Sequence, residues 1–351
     1  MKTILKWPGG KEAELPVIRK YTPKYSGRYI EPFVGGGAVF FDTDAKSCCI
    51  NDRSSELINL YRCVKEQDKD FIGCAEGFAD EFTSLGSLAV QSRENILRLY
   101  SGEVSVDDFL QEHSELFSKM AQLNTQKFLL ELYENLSDKL RRSHKLEAAH
   151  GRISDSDRAD NIEAALKSAY YMYVRHLLNH PGGSTAGVQA AVFFFIREYC
   201  YSSMFRYNHK GLFNVPYGGI SYNRKDLRKK IDYLRSGEIV SRLENTLICC
   251  QDFEDFITSL KPAEDDFIFL DPPYDTDFSS YSGNEFGKED QLRLCECLKK
   301  TPAKILLVIK NTDFIYDLYK DDFNIRQFDK KYTVSFKNRN LRETEHLIIT
   351  R

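Results

Sequence analysis

Four residues that could act on an amine, Asp271-Pro272-Pro273-Tyr274, directly follow the apolar run 267–270. The Asp271 carboxylate and the Pro272 carbonyl could each accept one N–H of a planar exocyclic amine, which would free the nitrogen lone pair for attack. Proline fixes φ and lacks an N–H, so the two prolines would hold these acceptors rigidly. Tyr274 would offer a flat face for an extruded base. The run favours transfer to the amino group of a base, although a simple loop can have the same sequence.

Two glycine-rich segments near the N-terminus could hold a nucleotide-like ligand. In segment 6–11, Trp7 could pack on a planar group and Lys11 could meet a carboxylate or a phosphate. Segment 34–41 follows a predicted strand and combines a glycine turn with the start of a predicted apolar helix. Its spacing lacks the full dinucleotide fingerprint, so a nicotinamide cofactor is not implied. A plain glycine turn with a surface lysine remains an alternative for segment 6–11.

Three more strands are predicted around these segments, and each of them leads to an acid. The strand in 47–50 leads to Asp52, where an acid that holds ribose hydroxyls is expected. The strand in 246–250 leads to Asp252, which could contact an adenine ring of a ligand. The run 267–270 is predicted as a buried parallel strand that stops at the ligand-binding edge of its sheet.

The apolar pattern divides the chain into four segments. Strands dominate 1–64 and 244–351, which we predict as the two parts of a catalytic domain, cofactor-binding first. Helical spacing dominates 65–167, predicted as an inserted helical subdomain. Segment 168–243 contains the end of one helix, a second helix and a polar loop, and is predicted as a target-recognition region.

Finer features of these segments are also predicted. Residues 150–161 are expected to form an exposed connection, and 280–284 a loop over the site. Segments 332–336 and 345–349 are expected to pair antiparallel at the edge of the sheet.

Composition limits the class of protein. The 351 residues carry a net charge of −3, so any attraction to nucleic acid must come from local basic clusters. No signal peptide and no apolar run long enough to span a bilayer is found. Nine cysteines without a C-x-x-C spacing favour reduced thiols and a cytoplasmic location. His176 and His180 have helical spacing but no complementary ligands, so no metal is expected.

Basic segments provide candidate contacts with nucleic acid. Segment 201–218 interleaves aromatic residues with polar ones, among them Arg206, Asn208 and Asn214. The clusters 224–230 and 337–342, the latter with Arg339, could contact phosphates. Solvated helix faces and hairpin tips have similar compositions, so these clusters support binding only alongside the other motifs.

In combination the motifs resemble those of the Dam-like N6-adenine DNA methyltransferases of the α group, the D12 class. Three blocks carry the resemblance in the family's order, 6–11, 31–37 and 271–274. Segment 206–216 is similar to the family's DNA-recognition segment. The resemblance covers most of the chain outside 65–167, a segment that the family's shorter members replace by a compact one. It implies an α/β fold with a Rossmann-like methyltransferase sheet and an inserted helical DNA-recognition domain.

The resemblance implies S-adenosylmethionine as the methyl donor. The positions that match its binding residues are Trp7, Lys11, Phe33, Gly35, Gly36, Gly37 and Asp52. We add Asp252 and Asp271 to this set, and Asp271 through Tyr274 match the catalytic motif.

The resemblance also implies double-stranded DNA as the substrate. Lys6 matches a position that touches guanine in members that read GATC. The neighbouring bases are read at positions that match Met204, Arg206 and Pro216. Tyr201 matches a residue that helps to fill the gap left by a flipped adenine, although Ser202 stands where asparagine is usual.

The sequence therefore predicts an enzyme that methylates N6 of a flipped adenine in DNA, in a GATC-like site. The motifs leave alternatives open: N4 of cytosine, an RNA adenine, a protein glutamine amide, or a DNA-binding regulator without catalysis. The presence of a cognate restriction endonuclease, the exact target and the oligomeric state are not determined by the sequence.

Overall fold

The computed structural model describes residues 1–273, 286–331 and 343–351. Within them the chain forms two compact units, Met1–Glu66 with Ser236–Arg351, and Gln67–Arg235. Several predictions concern residues outside the described ranges: Tyr274, the loop 280–284, the strand 332–336 and Arg339.

The first unit is built on a sheet of seven described strands. They are β1 (Tyr29–Glu31), β2 (Cys48–Asn51), β3 (Thr246–Cys249), β4 (Phe267–Leu270), β5 (Lys304–Lys310), β6 (Asn324–Lys331) and β7 (Glu343–Thr350). Their order is β3-β2-β1-β4-β5-β7-β6, in which the first five are parallel and β7 is antiparallel to both of its neighbours. The predicted α/β class is confirmed.

Helices account for much of the rest of the described chain. They are α1 (Leu15–Tyr21), α2 (Ser55–Glu66), α3 (Lys69–Gln91), α4 (Arg93–Ser101), α5 (Val106–Glu112), α6 (Ser114–Lys119), α7 (Thr125–His150), α8 (Asp155–Asn179), α9 (Ala186–Tyr199), α10 (Leu227–Leu234), α11 (Gly237–Glu244), α12 (Phe253–Leu260), α13 (Lys288–Lys300) and α14 (Asp313–Tyr319). Within the described ranges, none of the helices combines the length and the apolar character needed to cross a membrane.

Apolar residues on both faces hold the central strands in the sheet. All four residues of β4 are buried, as expected for a parallel strand covered on both sides. Alternate residues Ile268 and Leu270 pack with Leu294 and Leu298 of α13 and Phe256 of α12. This core fixes the end of β4, from which Asp271 follows.

The strand order of the sheet changes sides between the parallel neighbours β1 and β4. From β1 the chain adds β2 and then β3 on one side, while β4 and β5 lie on the other. In open parallel sheets, ligands bind outside the carboxyl ends of the strands at this point. The candidate site should therefore lie where β1 and β4 end.

Two predictions about local structure were wrong. Residues 34–42 form turns in place of the predicted helix, held by Gly37 N–H to the Val34 carbonyl and Phe41 N–H to the Gly37 carbonyl. Residues 155–161 belong to the first turns of α8, so the exposed connection is limited to 151–154. The Ser154 hydroxyl caps this helix by accepting from Asp157 N at 3.1 Å.

Among the described residues, an antiparallel pair is present at the sheet edge. It joins β7 to β6, which ends at Lys331, just before the predicted segment 332–336.

The second unit contains helices α3 to α10 around an aromatic core. The ring of Phe82 on α3 lies 4.3 Å from that of Tyr199 and 5.6 Å from that of Phe195, both on α9. Tyr170 on α8 completes the cluster at 5.6 Å from Phe195. Because α8 runs through residue 167, the helical segment and the first part of the recognition segment share one continuous helix.

Candidate active site and nucleic-acid interface

Four parallel strands of the first unit bring predicted site residues to the same sheet edge. The glycine turn follows β1, Asp52 follows β2, Asp252 lies just beyond β3 and Asp271 follows β4. The predicted site residues of the first unit thus come mainly from strand ends, where backbone groups and short loops can hold a ligand.

Asp271 forms an ion pair with Lys11. The Lys11 ammonium lies 2.5 Å from Asp271 Oδ2 and also donates to the Gly9 carbonyl at 3.0 Å. The side chain of Lys11 is 3% exposed and that of Asp271 is 20% exposed. The Asp271 carboxylate of the predicted motif is therefore held by Lys11 at a partly open position.

The two prolines that follow differ in burial. Pro272 is buried, whereas Pro273 is exposed. The amide of Gln291, on α13, donates to the Pro273 carbonyl at 3.4 Å. Gln291 is not among the predicted site residues, because it stands inside an ordinary helical pattern.

The glycine turn is shaped by close approach to aromatic side chains. Gly35 and Gly37 have φ of +49° and +75°, in the left-handed region that favours glycine. A side chain at residue 35 would place Cβ 2.8 Å from Trp7 Cδ1, and one at residue 37 would place it 2.5 Å from the Tyr61 hydroxyl oxygen. Trp7 therefore packs on the backbone of this turn, which only glycine can form.

Asp52 joins the end of β2 to the glycine turn. Its carboxylate accepts from Gly35 N–H at 3.0 Å and from Ser54 N–H at 2.9 Å. Burial raises the pKa of the Asp52 carboxyl above its usual value, and backbone N–H groups oppose that shift. A carboxylate has about four acceptor positions, so Asp52 can accept hydroxyl donors of a ligand as well.

Phe33 and Asp252 lie at the same edge in different settings. The Phe33 ring is 5.5 Å from that of Phe253 and 5.6 Å from that of Phe286. Asp252 caps α12 by accepting from Glu254 N at 3.0 Å, and the same oxygen accepts from Arg293 at 2.7 Å. The Asp252 carboxylate thus has a structural role besides any contact with a ligand.

Two buried polar residues at the strand ends were missing from the predicted site. The Asn51 amide donates to the carbonyls of Pro32 and Gln251, each at 3.1 Å, so it connects the ends of β1, β2 and β3. Glu31 accepts from the Tyr29 hydroxyl at 2.6 Å. Burial raises the pKa of the Glu31 carboxyl well above its usual value, the Tyr29 hydrogen bond opposes this, and the charge of Asp271 adds to it. A polar residue at the end of a buried strand was the signal available for both.

The predicted recognition residues of the second unit form a small hairpin after α9. An antiparallel bridge joins Tyr207 and Phe213. Exposed Arg206 donates from Nε to the Asn214 side chain at 2.8 Å, and Asn214 N–H donates back to the Arg206 carbonyl at 3.1 Å. Asn208 stabilises the tip by accepting from Leu212 N–H at 3.0 Å.

The other predicted DNA contacts among the described residues are exposed or half-buried. Tyr201 and Pro216 are exposed, and Met204 is half-buried. The backbone joins two of them, since Tyr201 N–H donates to the Pro216 carbonyl at 2.8 Å. Lys6 is an exposed residue of the first unit. Among the residues that the structure describes, no group of three or more His, Cys, Asp or Glu is placed to hold a metal.

Comparisons with known proteins match nearly the whole chain. A family model for the D12 class N6 adenine-specific DNA methyltransferases matches residues 7–126 and 125–334. A type II methyltransferase of Paramecium bursaria Chlorella virus NC1A is 28% identical over 355 residues, 99% of each chain. A second, from Lactococcus lactis subsp. cremoris, is 26% identical and covers 100% of this chain and 95% of its own. A DNA adenine methylase of Serratia marcescens is 25% identical, with 89% of this chain and 84% of its own covered.

The extent of these matches bears on the helical segment 65–167. Since the viral relative aligns over 99% of both chains, this segment is not an addition peculiar to the present protein.

Proposed function

The chain belongs to the D12 class of N6 adenine-specific DNA methyltransferases, and from this premise we propose that it transfers a methyl group from S-adenosylmethionine to N6 of an adenine flipped out of double-stranded DNA. The observation that carries the proposal is the ion pair between Lys11 and Asp271. It fixes the carboxylate of the catalytic motif at the sheet edge that also holds the glycine turn and Asp52.

The glycine turn and Asp52 support the assignment of S-adenosylmethionine as the methyl donor. The turn presents bare backbone beside Trp7, because a side chain at residue 35 would collide with the indole ring. Asp52 is held by backbone N–H groups and suits the hydroxyls of a ribose. S-adenosylmethionine supplies an electrophilic methyl group on a sulfonium, whose loss leaves a neutral thioether. We assign its binding to Trp7, Lys11, Phe33, Gly35, Gly36, Gly37, Asp52, Asp252 and Asp271.

The target nitrogen needs activation because its lone pair is delocalised into the purine ring. Asp271 and the Pro272 carbonyl each accept one N–H of the amine and draw it towards tetrahedral geometry. Once the nitrogen is methylated it carries one extra proton, which is released to solvent. Lys11 holds the carboxylate in place before the substrate arrives, so little reorganisation is needed during transfer. Stacking of the extruded base is assigned to Tyr274.

DNA recognition is assigned mainly to the hairpin of the second unit. The contacts proposed are Lys6, Tyr201, Met204, Arg206, Asn208, Asn214, Pro216 and Arg339. Asn214 orients the exposed Arg206 guanidinium, as a residue that reads a base edge requires. A GATC-like target is proposed on Lys6 and Arg206. DNA methylated by the protein should then resist a nuclease that cuts only unmethylated GATC, and complete cleavage would exclude this target.

Asp271→Ala tests the assignment of the catalytic carboxylate. The transfer rate of tritiated methyl groups to DNA should fall on the order of 10²- to 10³-fold or more, because the amine loses its charged acceptor. Binding of S-adenosylmethionine, measured by calorimetry, should weaken far less than the transfer rate falls, because the other residues assigned to it are unchanged. Asp265→Ala is a matched control, since Asp265 is exposed and precedes the opposite end of β4. Equal transfer rates for Asp271→Ala and the parent would defeat the proposal.

A further inference from the structure

The backbone between α9 and the recognition hairpin adopts an unusual conformation. We call residues 200–204 the Tyr201 turn. Ser202 and Ser203 have φ of +54° and +52°, a left-handed conformation that residues with a side chain avoid. The turn projects Tyr201, whose side chain is 49% exposed. Two successive serines with positive φ are stable only where contacts with the rest of the protein stabilise this backbone conformation.

Arg197, in the last turn of α9, holds one side of the Tyr201 turn. It is 1% exposed, and its guanidinium donates to the Met204 carbonyl at 2.8 Å and to the Ser203 carbonyl at 2.9 Å. The same group lies 5.1 Å from the centre of the Phe205 ring. A planar guanidinium can donate to two successive carbonyls at once, which an ammonium group cannot do in the same geometry.

The other side of the Tyr201 turn is held by neighbouring segments. Ser202 N–H donates to the Tyr222 hydroxyl at 3.2 Å, and Tyr201 N–H donates to the Pro216 carbonyl at 2.8 Å. Ser203 N–H donates to the Cys200 carbonyl at 3.2 Å. The turn is thus held by contacts within the protein, and a turn held in this way reduces the ordering that binding requires.

We propose that Arg197 is a positioning residue for base flipping. It keeps Ser202 and Ser203 left-handed, and so presents Tyr201 in the conformation that fills the gap left by the target adenine. This inference rests on the proposed function, in which Tyr201 contacts DNA from which an adenine is flipped, and on the match of Tyr201 to a family residue that helps to fill the gap. Arg197 itself, being buried, acts through the turn.

The test compares methylation of two duplexes that carry the protein's recognition site, as found by sequencing of methylated DNA. In one the target adenine pairs with thymine, and in the other it faces an abasic site, where extrusion costs less. Arg197→Met should lower methylation of the paired duplex on the order of tenfold, since the left-handed turn is no longer held. The loss on the abasic duplex should be much smaller, and a fluorescent adenine analogue at the target should report less extrusion.

A glycine in the Tyr201 turn should rescue the activity that Arg197→Met loses. Ser203→Gly on the Arg197→Met background should restore much of the paired-duplex activity, because glycine adopts the left-handed conformation readily. Arg175→Met is the matched control, since Arg175 is also an arginine that donates to a backbone carbonyl, that of Val215, which lies outside the Tyr201 turn. It should leave the ratio between the two duplexes unchanged.

Several outcomes would overturn the inference. These are an equal loss on both duplexes, no loss in Arg197→Met, or no rescue by Ser203→Gly. Should Arg197→Met not fold, Ser203→Pro, which cannot adopt a positive φ, must show the same selective loss on the paired duplex. If the parent methylates adenine in neither duplex, the proposed function fails instead, so the two failures are distinguishable.

Discussion

The ion pair between Lys11 and Asp271 joins two residues that the sequence assigns to different tasks. Lys11 was expected to meet a carboxylate or phosphate of the ligand, and Asp271 to receive the amine. In the structure, Lys11 and Asp271 form an ion pair with each other at 2.5 Å. A residue separation of 260 positions carries no local signal, so only the fold could show this contact.

A double-mutant cycle measures how strongly this pair is coupled. Lys11→Met and Asp271→Asn each remove the ion pair. The first leaves the Asp271 carboxylate without its ion-pair partner, and the second leaves the buried Lys11 ammonium without its own. The double variant should be more stable than the sum of the single losses implies, by about 1–3 kcal/mol in the free energy of unfolding. Arg19 and Asp42 form a control pair in which the arginine is 61% exposed. Their coupling should be clearly smaller, and an equal value for both pairs would argue against a tightly held catalytic carboxylate.

Glu31 gives a prediction about pH. Its pKa is raised in the folded protein, so the fold binds this proton more tightly than the unfolded chain does. The resulting stabilisation is complete below the ordinary pKa of 4.5 and is lost as the pH rises through the folded-state pKa. Relative to the parent, Glu31→Gln should therefore gain stability as the pH is raised above 4.5. Denaturant unfolding at several pH values, with exposed Glu66→Gln as the control, would contradict this if the difference stayed constant.

At the scale of elements, sequence reasoning located the buried strands well and the irregular segments poorly. The apolar run of β4 ends where a charged residue begins, and its bounds were predicted correctly. The run Val39, Phe40 and Phe41 is equally apolar and buried, but two left-handed glycines precede it and it forms turns. Burial alone does not distinguish a helix from turns packed in a core. At the start of α8, polar residues suggested a loop, although Ser154 and the acids after it favour a helix N-terminus.

Asn51 is the element-scale contact that sequence reasoning missed, and it can be tested. Asn51→Asp replaces the donor to the Pro32 and Gln251 carbonyls by an acceptor in a position that is 1% exposed. The free energy of unfolding should fall by about 2–5 kcal/mol. Binding of S-adenosylmethionine should also weaken, because the ends of three strands are no longer joined. Exposed Asn245→Asp should change stability by less than about 0.5 kcal/mol. Equal stability of the two variants would show that Asn51 does not hold the site together.

For the whole molecule, the structure forms two compact units. The sequence predicts four segments, of which 1–64 and 244–351 are the two parts of one catalytic domain. The predicted boundary after residue 167 lies inside α8, and that after residue 64 lies inside α2. These boundaries were placed where the amino-acid composition changes along the chain. A helix can continue through such a change when the side chains on its surface change from one environment to another. The net charge of −3 gives no indication of DNA binding, so at this scale the function depends on local motifs and on the family.

The most direct test of the central claim is single-molecule sequencing of DNA from cells that lack adenine methylation and express this protein. The account predicts N6-methyladenine in one short sequence context, GATC-like, and none in cells that express Asp271→Ala. N4-methylcytosine, or N6-methyladenine at the same level with Asp271→Ala, would contradict it.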